Sequence, residues 1–99
     1  MAKYVYLLHQ KIEYPDLYYT THVVINAYTT MWNALFGLNK WKDNILSIVH
    51  SKISNSQSGL HYQYKLYLTQ FGATYHIVYP NGDIIESIYF WIEPVVLKE

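Results

Sequence analysis

The sequence predicts an α+β fold: a mostly antiparallel β-sheet, built from a C-terminal three-strand meander and an N-terminal strand, with two helices packed on one face. Three observations predict it. After Gly59 apolar residues alternate with period two, as on a half-buried strand. Asn81-Gly82 is the dipeptide of a tight hairpin. Between Leu17 and Ile53 apolar residues recur at i, i+3 and i+4, the spacing of one helix face.

In chain order, residues 3–9 read as a first strand, with β-branched and aromatic residues on both faces. Asp16 follows Pro15 as a helix N-cap. Leu17, Thr21, Val24, Tyr28, Met31, Trp32 and Leu35 then line one side of a helix over residues 16–36, with Gly37 just past its end. Residues 18–25 carry a rival reading as a strand, since they are rich in Tyr, Thr and Val. Asp43 caps a second helix with Ile45, Leu46, Val49 and Ile53 on its apolar face. Residues 54–59 form a polar loop. Strands follow from Leu60, from Thr74 and over residues 84–92. Pro94 ends the last one, because proline cannot donate to a ladder.

The two hairpins set a register. An Asn81-Gly82 loop pairs Tyr79 with Ile84, Ile77 with Glu86 and Tyr75 with Ile88. A four-residue loop at 70–73 pairs Leu68 with Tyr75 and Leu66 with Ile77. The helix-side face is then apolar except for Glu86. A carboxylate forced toward a core either finds a hydrogen-bond partner or marks a site. The opposite face gathers Lys65, Tyr67, His76, Val78, Ile85, Tyr89 and Trp91, which is too apolar for a solvated surface.

Residues 1–99 read as a single globular domain. The 99 residues hold seven Lys, no Arg and seven acidic residues, so the net charge is zero; 18% are aromatic and none is Cys. This excludes disulfides, thiol nucleophiles and Cys-bearing zinc sites. Low charge with high aromaticity opposes disorder. No stretch approaches a membrane span, and the apolar run at residues 4–8 is too short for a signal peptide. Neutral charge without Arg removes the footprint of a duplex-DNA binder.

The histidines His9, His22, His50, His61 and His76 show no metal-ligand spacing, so neither a metal nor a cofactor is expected. Ser87 falls opposite His76, within hydrogen-bond reach, but no carboxylate is expected next in line on that face and no nucleophile elbow is present. A cross-strand polar pair is the plainer account, and no enzyme activity is expected.

Three readings of the aromatic face stay open. It is an interface with a second copy or another protein, where aromatics are enriched and charges depleted. It is a stacking platform for single-stranded nucleic acid, with Tyr67, Tyr89 and Trp91 under the bases and Lys65 near phosphate. Or it is buried beneath the N-terminal strand, the Trp41 segment or the C-terminal tail.

The Tyr-rich, Cys-free, Arg-free chain, with stretches such as Leu60-His61-Tyr62-Gln63-Tyr64-Lys65-Leu66-Tyr67-Leu68 and Tyr79-Pro80-Asn81-Gly82-Asp83, resembles the small proteins of filamentous viruses of hyperthermophilic archaea, the lipothrixvirus and rudivirus group. The resemblance implies a viral origin, residence in the host cytoplasm and resistance to heat and acid. It carries no residue role onto this chain. With only seven carboxylates, little stability can be lost to acid, so the melting temperature is expected to change little down to about pH 2. The function expected is that of a small viral interaction protein, a homodimer or the partner of a viral or host protein, with weak single-stranded nucleic-acid binding as the alternative.

Overall fold

The computed structural model describes residues 3–54 and 63–97. His61 and the first residues of the strand expected from Leu60 lie outside them. Strand β1 spans Lys3–Tyr14, β2 Tyr19–Tyr28, β3 Gln63–Thr69, β4 Gly72–Val78 and β5 Ile84–Leu97. The α-helix, α1, spans Met31–Ser54. The strands form one antiparallel sheet in the order β2-β1-β5-β4-β3. The N-terminal strand therefore lies inside the sheet, between β2 and β5.

Among the described residues there is one α-helix where the sequence predicts two. The segment expected as the start of the first helix is instead a 3-10 turn at Pro15–Leu17 followed by β2. Tyr18 takes a left-handed conformation, φ 50°, and its N–H reaches the Pro15 carbonyl at 3.3 Å, which turns the chain back along β1. The Tyr, Thr and Val content of residues 19–28 suits a pleated strand, and pairing with β1 outweighs the helical spacing.

Thr30 precedes the helix and caps it. Its hydroxyl accepts the Asn33 N–H at 3.1 Å and its carbonyl accepts the Ala34 N–H at 3.1 Å, an N-cap. Neither Gly37 nor Asp43 marks an end, because α1 runs through both. Gly37 is buried against Tyr28, and a Cβ there would collide with the phenol hydroxyl. The glycine costs about 1 kcal/mol of helix propensity but lets the helix lie close to β2. Ala34, Leu38, Ile45 and Val49 face the sheet and pack into one core with Leu8, Tyr75, Ile88, Phe90 and Ile92.

Both hairpins differ locally from the expected register. The β3–β4 turn is the two residues Gln70-Phe71, so Leu68 pairs with Ala73 and Leu66 with Tyr75. A slip of two residues leaves every side chain on its expected face. At the other hairpin Ile77 pairs with Glu86 and Tyr75 with Ile88, but Val78 pairs with Ile84, leaving Ile85 as an extra residue. The Tyr79 N–H meets the Asp83 carbonyl at 2.9 Å, and Gly82 supplies the positive φ of 93° that closes the loop. Tyr79 thus faces Asp83 rather than Ile84.

Pro94 does not end β5. The Ile92 N–H donates to the Phe71 carbonyl at 3.0 Å, so even-numbered residues of β5 turn their backbone groups toward β4. Beyond that bond β4 has ended, while pairing to β1 continues to Leu97. Pro94 sits where no donor is required.

The molecule measures 57 × 26 × 18 Å with a radius of gyration of 15.8 Å, against about 13 Å for a round domain of this length. Its short axis holds one sheet and one helix. Among the described residues, no element covers the sheet face away from α1.

Candidate interaction face

Strand alternation sends odd-numbered residues of β1, β3 and β5 and even-numbered residues of β4 to the uncovered face. They meet in rows across the sheet. Lys65, His76, Ser87 and Glu13 make one row. Tyr67, Thr74, Tyr89, Lys11 and His22 make the next. Gly72, Trp91, His9 and Val24 make the third. A Cβ on Gly72 would lie 2.5 Å from the Phe90 carbonyl oxygen, so only glycine fits beside Trp91.

Five of the seven residues singled out from the sequence lie together here: Lys65, Tyr67, His76, Tyr89 and Trp91. Tyr67 is 55% exposed, while His76, Tyr89 and Trp91 are half-buried by their neighbours. The other two do not join the exposed set. Val78 is only 2% exposed, and Ile85, the bulged residue, packs against the core. The irregular hairpin register accounts for both.

Aromatic rings and paired polar groups alternate on this face. Tyr67 and Tyr89 each present an edge contact to His76, with centroids 5.7 and 6.1 Å apart. The Lys11 ammonium stands 5.7 Å above the Tyr89 ring and 2.8 Å from Glu13. The Tyr89 hydroxyl donates to Glu13 at 3.3 Å. The hydrogen bond from Lys11 holds the Glu13 carboxyl below its ordinary range, and Glu13 in turn raises Lys11.

One end of the face carries a chain of polar side chains. His9 Nδ1 lies 2.8 Å from His22 Nε2, and His9 Nε2 lies 3.0 Å from a Glu93 oxygen. Trp91 covers both imidazoles, at 4.8 Å from His9 and 5.2 Å from His22. Both His9 nitrogens are occupied, and among the described residues no three His, Asp or Glu side chains are placed to hold a metal ion. Sequence reasoning missed His9, His22, Lys11, Glu13 and Glu93, because the neighbours of β1 were not fixed. The signal was present in the alternation of Leu8, Gln10 and Ile12 with His9, Lys11 and Glu13.

His76 Nδ1 lies 2.7 Å from the Ser87 hydroxyl. Ser87 is only 2% exposed, so a substrate carbonyl could not reach its oxygen. A carboxylate does lie next in line on this face, contrary to the sequence expectation, because β1 pairs with β5: Glu13 stands on the serine side of this pair and is held by Lys11 and Tyr89. That order differs from acid–base–nucleophile. Glu86 lies on the helix side opposite Ile77, 6% exposed, and no buried side-chain polar atom among the described residues lacks a hydrogen-bond partner.

A separate shallow groove of about 330 Å³ lies beside Trp32 and Phe36 on α1. Both side chains are exposed. No described helix is long and apolar enough to cross a membrane.

Comparison with known proteins finds no matching family model, no matching curated protein and no matching solved structure.

Proposed function

We propose that this chain is a small, non-enzymatic interaction protein that self-associates through the sheet surfaces α1 leaves open. By the resemblance drawn from the sequence, it is a viral protein acting in the host cytoplasm. One observation carries the reading: Tyr67, Tyr89 and Trp91 lie on a sheet face that no described element covers. Exposed aromatic surface of this kind is enriched at protein interfaces, and the paired charges around it add specificity more than affinity.

Light scattering across a concentration series tests the reading. A mass rising to twice the chain mass is the expected result. A monomer at every concentration would overturn self-association.

The second reading, a single-stranded nucleic-acid platform, draws on the exposed ring of Tyr67 and the neighbouring Lys65. Lys11 supports it less, because Glu13 already engages its charge. A salt-sensitive fluorescence change on adding oligonucleotide, lost in a Tyr67→Ala, Trp91→Ala double variant, would favour this reading.

A further inference from the structure

The sheet has two outer strands, β2 and β3. They differ in ways that bear on which one meets a partner. β3 is seven residues long and carries Lys65. β2 is ten residues long and contains no Lys, Asp, Glu or Pro. Natural sheets blunt a free edge with such residues, and β2 lacks them.

The backbone of β2 can be followed atom by atom. Odd-numbered residues of β5 and β1 bond each other, so even-numbered residues of β1 bond β2. Gln10, Ile12 and Tyr14 thus take the backbone groups of Val23, Thr21 and Tyr19. The N–H and C=O groups of Thr20, His22, Val24 and Ala27 point outward. At Ala27 the Asn26 side chain accepts the N–H at 2.8 Å, and the extra residue Ile25 breaks the regular spacing just before it. These two features close that end of the edge. A regular five-residue segment remains, Thr20 to Val24, with outward groups at every second residue.

We infer that the Thr20–Val24 edge of β2 pairs antiparallel with the same segment of a second copy, about a two-fold axis at His22. The occupant follows from the chemistry of the edge. Outward donors and acceptors at every second residue are complementary to a strand, and a segment centred on His22 is complementary to itself. His22 would exchange two hydrogen bonds with its copy, and Thr20 would bond Val24 of the copy at each side, about six in all. Leu17, Tyr18, Tyr19, Val23 and Val24 are all exposed along this edge and supply apolar surface. No formal charge on β2 opposes the approach. The pairing would join two sheets into one and continue the aromatic face across both protomers.

This inference rests on the self-association reading and narrows it to one edge. Sedimentation equilibrium of three chains separates the two claims. Thr20→Pro removes an outward N–H and no bond to β1; Val24→Lys adds a charge to the edge at a half-exposed side chain. Each should weaken the dimer about tenfold or more, with unchanged circular dichroism. The Tyr67→Ala, Trp91→Ala chain probes the aromatic face instead, and it should weaken the dimer less than either edge variant does. If this last chain loses the dimer while both edge variants keep it, the edge inference is overturned and self-association stands. If the parent chain is monomeric throughout, both are overturned.

Discussion

The imidazole of His9 lies flat against the indole of Trp91, with centroids 4.8 Å apart and planes 4° from parallel. His22 and Glu93 engage its two nitrogens. The contact joins β1 to β5, two neighbours distant in sequence, and holds the end of the uncovered face in one arrangement. A bond between two ring nitrogens needs one to carry the proton and the other to accept it. Long-range nitrogen–proton NMR of the folded chain should show one of the two facing nitrogens, His9 Nδ1 and His22 Nε2, protonated and the other bare. Two facing nitrogens that both carry protons would contradict the bond.

The Lys11–Glu13 pair gives the acid limb of stability a predicted sign. Its hydrogen bond lowers the folded-state pKa of Glu13. The contribution is therefore present above the ordinary carboxyl range and lost as pH falls through the lowered value. Both groups are solvent-facing, so the effect is small. Glu13→Gln should lower the melting temperature slightly at neutral pH and leave it unchanged near pH 2, which flattens the profile between about pH 5 and pH 2. A steeper acid loss in the variant would contradict this assignment.

Tyr75 contributes on the alkaline side. It is 1% exposed, and its hydroxyl donates to the Lys42 carbonyl at 3.2 Å, tying β4 to α1. Burial raises its pKa. The folded state thus holds the phenol proton more tightly, and stability is lost as pH rises past the ordinary phenol range near 10. Tyr75→Phe should cost about 1 kcal/mol at neutral pH and delay alkaline unfolding. Denaturant titrations at neutral and alkaline pH measure both.

At Gly37 the packing overrides helix propensity. Gly37→Ala gains up to about 1 kcal/mol of propensity and drives a methyl group into Tyr28, where overpacking costs about 1–3 kcal/mol. The variant should be destabilised, and Tyr28→Ala should turn the same substitution into a gain. Additive effects of the two changes would contradict direct contact.

How much was legible in the sequence depended on where the partners lay. The C-terminal meander was readable because its partners are adjacent and period two is strict from Tyr64 to Leu68 and Tyr75 to Ile77. Even a two-residue slip at Gln70-Phe71 kept Tyr67 and Tyr89 on their expected face. Glu86 stood out as the one carboxylate on the helix side and is placed there. The N-terminal half was harder. Tyr19 to Tyr28 satisfies helical spacing and strand composition at once, and only pairing with β1 decides between them. Gly37 and Asp43 look like helix boundaries locally, yet contact with Tyr28 explains the first and the second is exposed on a continuous helix. The histidine chain joins β1, β2 and β5, an order that no local signal encodes.

Amide hydrogen exchange at two protein concentrations tests the central claim, completion of the sheet by a second copy, most directly. In dilute solution Thr20, His22 and Val24 should exchange as unpaired edge amides, and concentrated protein should protect all three while Thr21 and Val23 stay protected throughout. If those three amides exchange equally fast at a concentration where the chain is dimeric, the copies meet elsewhere and the account of the β2 edge is wrong.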